Sequence, residues 1–343
     1  MKYPLLDQLN KYIAEGFATA RAHPRLPLQI YNYSTRAQYN FTAETWPQEL
    51  RDARGLVLDP DGEIIARGFR KFFNLSQLQN WPAGKPEFWE KADGSLIIVF
   101  DYKGEVVCST RGSFESEQAK WAASMIPNTF VPQPGITYCL EAIYPANRIV
   151  VDYQGLEELV LLGAVDHECI DRDDVLPEAA KHFRRAKFHG LLEMNQLPVE
   201  QQGEGFVLRW PDGTRAKVKL DEYTRAHRLL FGLSTRAVWE MLAAGEDVDA
   251  RYAELPALPR DWAKQKAAFY RGRHSEIMAQ VREEFVHAPV TSNRGEFAAW
   301  AKTTRHPGLH FKLLDGKPIE AEVWKLIEPK FERPEWVERI EEG

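Results

Sequence analysis

The stretch WEKADGSLIIVFDYKGEVVCST, residues 89–110, decides how the rest of the chain is read. Its two apolar runs, SLIIVFDY (95–102) and EVVCST (105–110), are rich in β-branched and aromatic residues and are separated only by Lys103-Gly104. So short a connection joins antiparallel strands, because parallel neighbours need a crossover of a dozen or more residues. The same punctuation recurs at Asp59-Pro60-Asp61-Gly62 and Pro211-Asp212-Gly213. Further strands are expected at LQIYNY (28–33), RGLVLD (54–59), EIIARGF (63–69), ITYCLEAIY (136–144), RIVVDY (148–153), ELVLLGAVD (158–166), GEGFVLRW (203–210) and TRAKVKL (214–220). Helical patterning before residue 221 is sparse: an amphipathic segment over 5–21, a serine-capped one over 113–125 and a weak one over 176–193.

After residue 221 the apolar period changes to 3.6. DEYTRAHRLLFGLSTRAVWEMLAAG (221–245) reads as two helices broken near Gly232, with Ser234 capping the second, and helices follow over 262–288, 293–303, 318–327 and 334–342. The expected class is therefore α+β: an antiparallel-sheet domain over 1–222 and an all-helical domain over 223–343. The five short strands that an OB-fold would need after the last hairpin are missing from the pattern.

With 343 residues, of which 44% are hydrophobic, the chain has material for a sizeable core in two domains. No window approaches the apolar length that spans a bilayer, so no membrane partner is expected. Cys108, Cys139 and Cys169 form no C-x-x-C pair, which argues against a zinc ribbon or disulfide framework and fits a reducing cytoplasm. The net charge of −6 excludes a generally basic nucleic-acid coat. Phosphate-loop, dinucleotide, nucleophile-elbow and H-E-x-x-H motifs are all missing from the sequence.

Lys91-Ala92-Asp93-Gly94 sets a lysine at a strand–turn–strand junction, a pattern that by itself most often marks a solvated turn. Its companions give it weight. Lys217-Val218-Lys219 lies in a strand, so both lysines share one face, and like charges placed so closely call for an anion between them. Glu204 opens the run Glu204-Gly205-Phe206-Val207 across the hairpin from them, and Glu141 is embedded in the apolar strand Tyr138-Cys139-Leu140-Glu141-Ala142.

K-x-D-G, an embedded glutamate, E-G-aromatic-V and K-x-K, in that order, are the signature of covalent nucleotidyltransferases. Over residues 28–245 the chain resembles the ATP-dependent RNA ligases of the phage T4 RNA ligase 1 type. Arg54-Gly55, Arg70-Lys71-Phe72-Phe73-Asn74, Ser109-Thr110-Arg111-Gly112-Ser113 and Pro145-Ala146-Asn147-Arg148-Ile149-Val150-Val151 extend that resemblance beyond the superfamily motifs.

The resemblance implies that Lys91 attacks the ATP α-phosphate, giving lysyl-AMP. It places Lys217 and Lys219 on the α-phosphate, Arg54 and Lys71 on the nucleotide phosphates, and Arg111 on the ribose or the RNA end. Phe73, Gly94 and Val207 would build the nucleotide pocket, and Glu90 would bond the adenine amino group. Glu141 and Glu204, with Asp93 as a third, would hold Mg²⁺ or Mn²⁺ directly or through water. Since the attacking amine must be neutral, the cations around Lys91 are expected to lower its pKa. AMP would pass to an RNA 5′-phosphate and be released when a 3′-hydroxyl attacks. The implied partners are single-stranded or nicked-loop RNA with those ends and a separate end-healing kinase or phosphatase. A DNA ligase, a GTP-using capping-type enzyme and a non-catalytic nucleotide- or RNA-binding protein are the alternatives.

Overall fold

The computed structural model describes residues 4–192 and 203–336. The chain forms two compact units, the first running to Arg225 and the second starting at Ala226.

The first unit is built on three sheets. One, ordered β1-β2-β3-β4, comprises Ala18–Ala22, Gln29–Tyr33, Arg54–Leu58 and Ile64–Ala66. The other two share the strands β5 (Phe73–Asn74), β6 (Glu87–Lys91), β7 (Ser95–Tyr102), β8 (Glu105–Thr110), β9 (Ile136–Ile143), β10 (Glu158–Asp166), β11 (Arg184–Arg185), β12 (Phe188–Leu191), β13 (Gly205–Arg209) and β14 (Arg215–Lys219). They are ordered β11-β10-β9-β7-β8 and β12-β6-β13-β14-β5. The pairings are antiparallel except for β10 with β11 and β14 with β5. All eight residues of β9 are buried, because both faces of its sheet are covered. One face packs with Ile30, Val57 and Ala66 of the first sheet. The other packs with Ala122 of α4 (Glu117–Met125) and with Leu176 and Ala179 of α5 (Leu176–Ala179). Glu141 is thereby carried into the interior by a strand that has no solvent side.

Helices α1 (Pro4–Ala14), α2 (Thr35–Asn40) and α3 (Gln48–Asp52) complete this unit. From Asp221 onward every described element is a helix: α6 (Asp221–Phe231), α7 (Thr235–Ala243), α8 (Val248–Arg251), α9 (Ala257–Val286), α10 (Arg294–Ala301), α11 (Pro307–Leu314) and α12 (Glu320–Leu326). Ser234 caps α7 by accepting from the Ala237 amide. In the second unit Ile277, Met278 and Val281 of α9 pack against Leu309 of α11 and Val323 of α12. Among the described residues no helix is long and apolar enough to cross a membrane.

Four expectations are corrected. The helix over 5–21 stops at Ala14, because Gly16 takes φ +78° and Ala18–Ala22 pairs with β2. The serine that caps α4 is Ser116, not Ser113. Residues 176–193 give four helical residues and then β11 and β12. RIVVDY is not a strand: the Val150 and Val151 amides donate to the Asp93 carboxylate instead of to a sheet neighbour. Most of the helix expected over 334–342 lies outside the described residues.

Candidate active site

Strand register lines up the lysines. Lys91 on β6 pairs with Gly205 on β13, and Gly205 with Lys219 on β14; one repeat further, Trp89 pairs with Val207 and Val207 with Lys217. Side chains two apart on a strand share a face, so all four charged or aromatic side chains and Val207 lie on one side of the sheet. Glycine at 205 is required by the backbone. Its φ is +143°, and a Cβ there would stand 2.0 Å from the Val218 carbonyl oxygen. The space so left above the row is filled by Glu204, whose carboxylate bridges Lys91 Nζ at 2.6 Å and Lys219 Nζ at 2.9 Å. Burial opposes the charge on Glu204, but the two lysines outweigh it and hold its carboxyl below the usual range.

The turn after Lys91 is fixed from several sides. A Cβ at Gly94 would approach the Ala142 carbonyl oxygen to 2.3 Å, so only glycine lets β7 start this close to β9. The Gly94 amide donates to Glu141 Oε1 at 3.1 Å. Asp93 accepts from Tyr223 Oη at 2.7 Å on Oδ1 and from the Val150 and Val151 amides at 2.9 and 2.8 Å on Oδ2. Its own amide donates to Tyr153 Oη at 2.8 Å. Both carboxylate oxygens of Asp93 are thus committed to holding the turn. Asn147 Nδ2 donates to the Ala142 carbonyl, and Ser95 Oγ bonds Asn147 Oδ1, so the Pro145–Arg148 segment braces the same turn.

Protonation in the site runs opposite to the expectation for Lys91. Burial disfavours its ammonium, but Glu204, Glu141 and Asp93 prevail and raise its pKa. Lys217, which has no carboxylate partner among the described residues, is lowered to about 7 by burial and by Lys91, Lys219 and Lys71. Glu141 is raised to about 7, chiefly by burial, with Lys91 opposing and Glu204 adding to the shift. Of the two amines, Lys217 is therefore the one that loses its proton more readily.

A second group of cations surrounds Tyr33 of β2. Lys71 Nζ sits in an aromatic box, 4.4 Å from the Trp46 ring centroid, 4.7 Å from Tyr33 and 5.3 Å from Phe73. The Arg111 guanidinium lies 5.6 Å from the Tyr33 ring. Burial would raise the Tyr33 hydroxyl, yet Arg111, Lys71, Arg54 and Lys217 together bring it down to about 7. Arg54, Lys71, Arg111 and Lys217 were singled out from sequence; Tyr33, at their centre, was not. Phe73 is buried against Trp46 and serves as a wall of the box. Val207 lies between Trp89 and Lys217, as a pocket floor would. Glu90 does not join the cluster. It alternates to the face opposite Lys91, where its carboxylate accepts from the Lys187 amide at 3.0 Å and from Arg184 at 3.3 Å.

Among the described residues no group of three or more His, Cys, Asp and Glu side chains is placed to hold a metal ion. Of the three expected carboxylates Glu141 fits one best; Glu204, with Oε2 on Lys91 and Oε1 on Lys219, would join it only by releasing a lysine. Burial raises Glu141 more than Lys91 and Arg54 lower it, and a hard cation on carboxylates completes its shell with water and phosphate oxygens. Asp93, with both oxygens taken, does not fit that role.

A family model described as RNA ligase matches residues 52–223, half of the chain. A bacterial protein from Thermovibrio ammonificans described as an RNA ligase is 25% identical over 223 residues, covering 57% of this chain and 58% of that protein. A viral protein from Autographa californica nuclear polyhedrosis virus, described as a bifunctional polynucleotide kinase/RNA ligase, is 35% identical over 79 residues. That match covers 19% of this chain and 11% of the viral protein. The chain thus spans little more than half of the one relative and about a tenth of the other. Among solved structures, an archaeal ATP-dependent RNA ligase superposes with a TM-score of 0.49 at 13% identity, over 87% of this chain and 85% of that one.

Proposed function

The chain belongs to the RNA ligase family, and from that membership we propose that it seals RNA ends using ATP, with Lys91 as the residue that carries AMP. The supporting observation is the register row Lys91–Gly205–Lys219, closed by Glu204 and flanked by Lys217. In the first step the Lys91 nitrogen bonds to the α-phosphorus, the bond to the bridging oxygen of the β-phosphate breaks, and pyrophosphate leaves. Lys217 and Lys219 stabilise the charge on the α-phosphate, the main contribution a protein can make to such a transfer. The cations around Tyr33 receive the outer phosphates.

Lys91 must lose its proton before it attacks, and Glu204 lies at hydrogen-bond distance to receive it. Lys217 is poised for the opposite change, since a triphosphate beside it favours its ammonium form. A divalent cation held by Glu141 and Glu204 would neutralise phosphate charge and compete for the carboxylates that keep Lys91 protonated. The AMP then passes from Lys91 to an RNA 5′-phosphate, and an RNA 3′-hydroxyl displaces it to form the phosphodiester.

The proposed substrate is single-stranded or nicked-loop RNA in a repair setting, with a kinase/phosphatase supplying the ends. Nucleotidyl transfer is proposed to belong to residues 1–222, and the helical region from 223 to take part in RNA choice where related enzymes append an OB-fold.

Incubation with α-labelled ATP and Mg²⁺ or Mn²⁺, followed by a denaturing gel, tests the first step. Label should be retained from ATP and lost in Lys91→Ala. Absence of label from either ATP or GTP would overturn the reading. Label from GTP alone would point to a capping-type enzyme, and efficient sealing of nicked duplex DNA to a DNA ligase.

A further inference from the structure

The row that holds Lys217 and Val207 continues outward past Trp89 to Phe188 on the edge strand β12. The Phe188 and Trp89 ring centroids are 4.8 Å apart, and the Arg185 guanidinium lies over the indole at 5.1 Å. Two features set this stack apart from a packing cluster. Phe188 is 48% exposed, although phenylalanine is among the residue types most often buried. Arg185 makes no ion pair among the described residues, whereas the adjacent Arg184 bonds both Glu158, at 2.7 Å, and Glu90, at 3.3 Å. An open aromatic face beside an unpaired guanidinium is the surface on which nucleobases stack.

We propose that Phe188, Trp89 and Arg185 form a stacking platform for the nucleobase of the RNA nucleotide that bears the 5′-phosphate. This rests on the ligase reading above. Trp89 precedes Lys91 by two residues on the same face, about 7 Å along the strand, so a phosphate arriving at the lysyl-AMP carries its nucleoside toward the stack. The ATP base is a poorer fit for Phe188. Three strand spacings, about 14 Å, separate Phe188 from Lys217, and its place on an edge strand leaves it reachable when the inner row is filled. Arg185 adds a cation next to the backbone of the entering strand. Because every base has a π-face, the platform grips the end without reading its sequence.

The test uses a 5′-phosphorylated RNA and the same RNA with an abasic 5′-terminal nucleotide, in wild type, Phe188→Ala and Arg185→Ala. Self-adenylylation by ATP, which needs no RNA, should be unchanged in both variants and so reports that they fold. Binding and single-turnover sealing of the intact RNA should fall about tenfold, the size of one base–aromatic stack. Removing the terminal base should cost wild type a similar factor and cost Phe188→Ala almost nothing. An equal abasic penalty in wild type and Phe188→Ala overturns the platform. Slowed self-adenylylation with a raised ATP KM also overturns it, by giving the stack to the ATP base. A wild-type protein that takes no label from ATP sinks the ligase reading instead, which is a separate result.

Discussion

Two neighbouring rows of one sheet face shift their lysines in opposite directions. In the row Lys91–Gly205–Lys219, a buried glutamate lies between the two ammonium groups and keeps Lys91 charged. One strand repeat away, Lys217 has cations around it and no carboxylate partner among the described residues, and burial and repulsion bring it to about 7. Both rows end in a lysine of β14, two residues apart on the same face, but only the first has Glu204 between its amines. A residue's place in a cationic cluster therefore does not by itself make its amine neutral. The charge-balanced row suits a nucleophile held in reserve, and the unbalanced row suits an anion yet to arrive.

Breaking the balanced row at its backbone should have the largest effect. Gly205→Ala puts a Cβ 2.0 Å from a carbonyl oxygen, and a clash of that kind should destabilise by about 4 kcal/mol or more, read as a large drop in Tm with loss of AMP labelling. Glu204→Gln leaves two partly buried ammonium groups without their carboxylate. With Lys91 and Lys219 still a fifth to a quarter exposed, the cost should be about 2 kcal/mol, below that of breaking a fully buried pair, measured as a shift in urea midpoint. Unchanged stability would mean that the bridge is not formed in solution. Tyr223→Phe removes one donor from Asp93 while keeping the ring beneath Lys219; about 1–2 kcal/mol is expected, again from urea denaturation.

The unbalanced row is sharpened by pH. Lys217 is depressed in the folded chain, so between about 7 and the free-lysine value of 10.5 the unfolded chain binds more protons. Stability from this residue therefore rises with pH across that window, while ATP affinity falls as pH climbs past 7 and the cation is lost. Glu141 acts in the reverse sense: raised from 4.5 to about 7, it makes stability fall as pH rises between those values. Lys217→Arg, charged throughout, should flatten the ATP-affinity profile by isothermal titration. A profile as steep as wild type would place the titration elsewhere.

Much of this site was legible because its chemistry rides on strand register. The lysine–turn signal, the E-G-F-V run and the K-x-K pair are local patterns whose meaning survives without coordinates. The hairpin turns likewise fixed the antiparallel pairing of β3 with β4, β7 with β8 and β13 with β14. What escaped depends on distant partners. Tyr33 looks like any alternating aromatic in QIYNY, and only the fold surrounds it with Arg54, Lys71, Arg111 and Lys217. RIVVDY has strand composition, but its amides are claimed by an aspartate more than fifty residues earlier. That Glu90 lies outside the lysine cluster follows from parity alone, since it alternates away from Lys91. The protonation of Lys91 could not be read from sequence, because it turns on Glu204 reaching over a glycine.

The most direct test is to digest the protein after reaction with ATP and locate the AMP by peptide mass spectrometry. The adduct should lie on Lys91 and be missing from the Lys217–Lys219 peptide, even though Lys217 gives up its proton more readily at rest. AMP on Lys217 would contradict the proposed division of labour between the two rows.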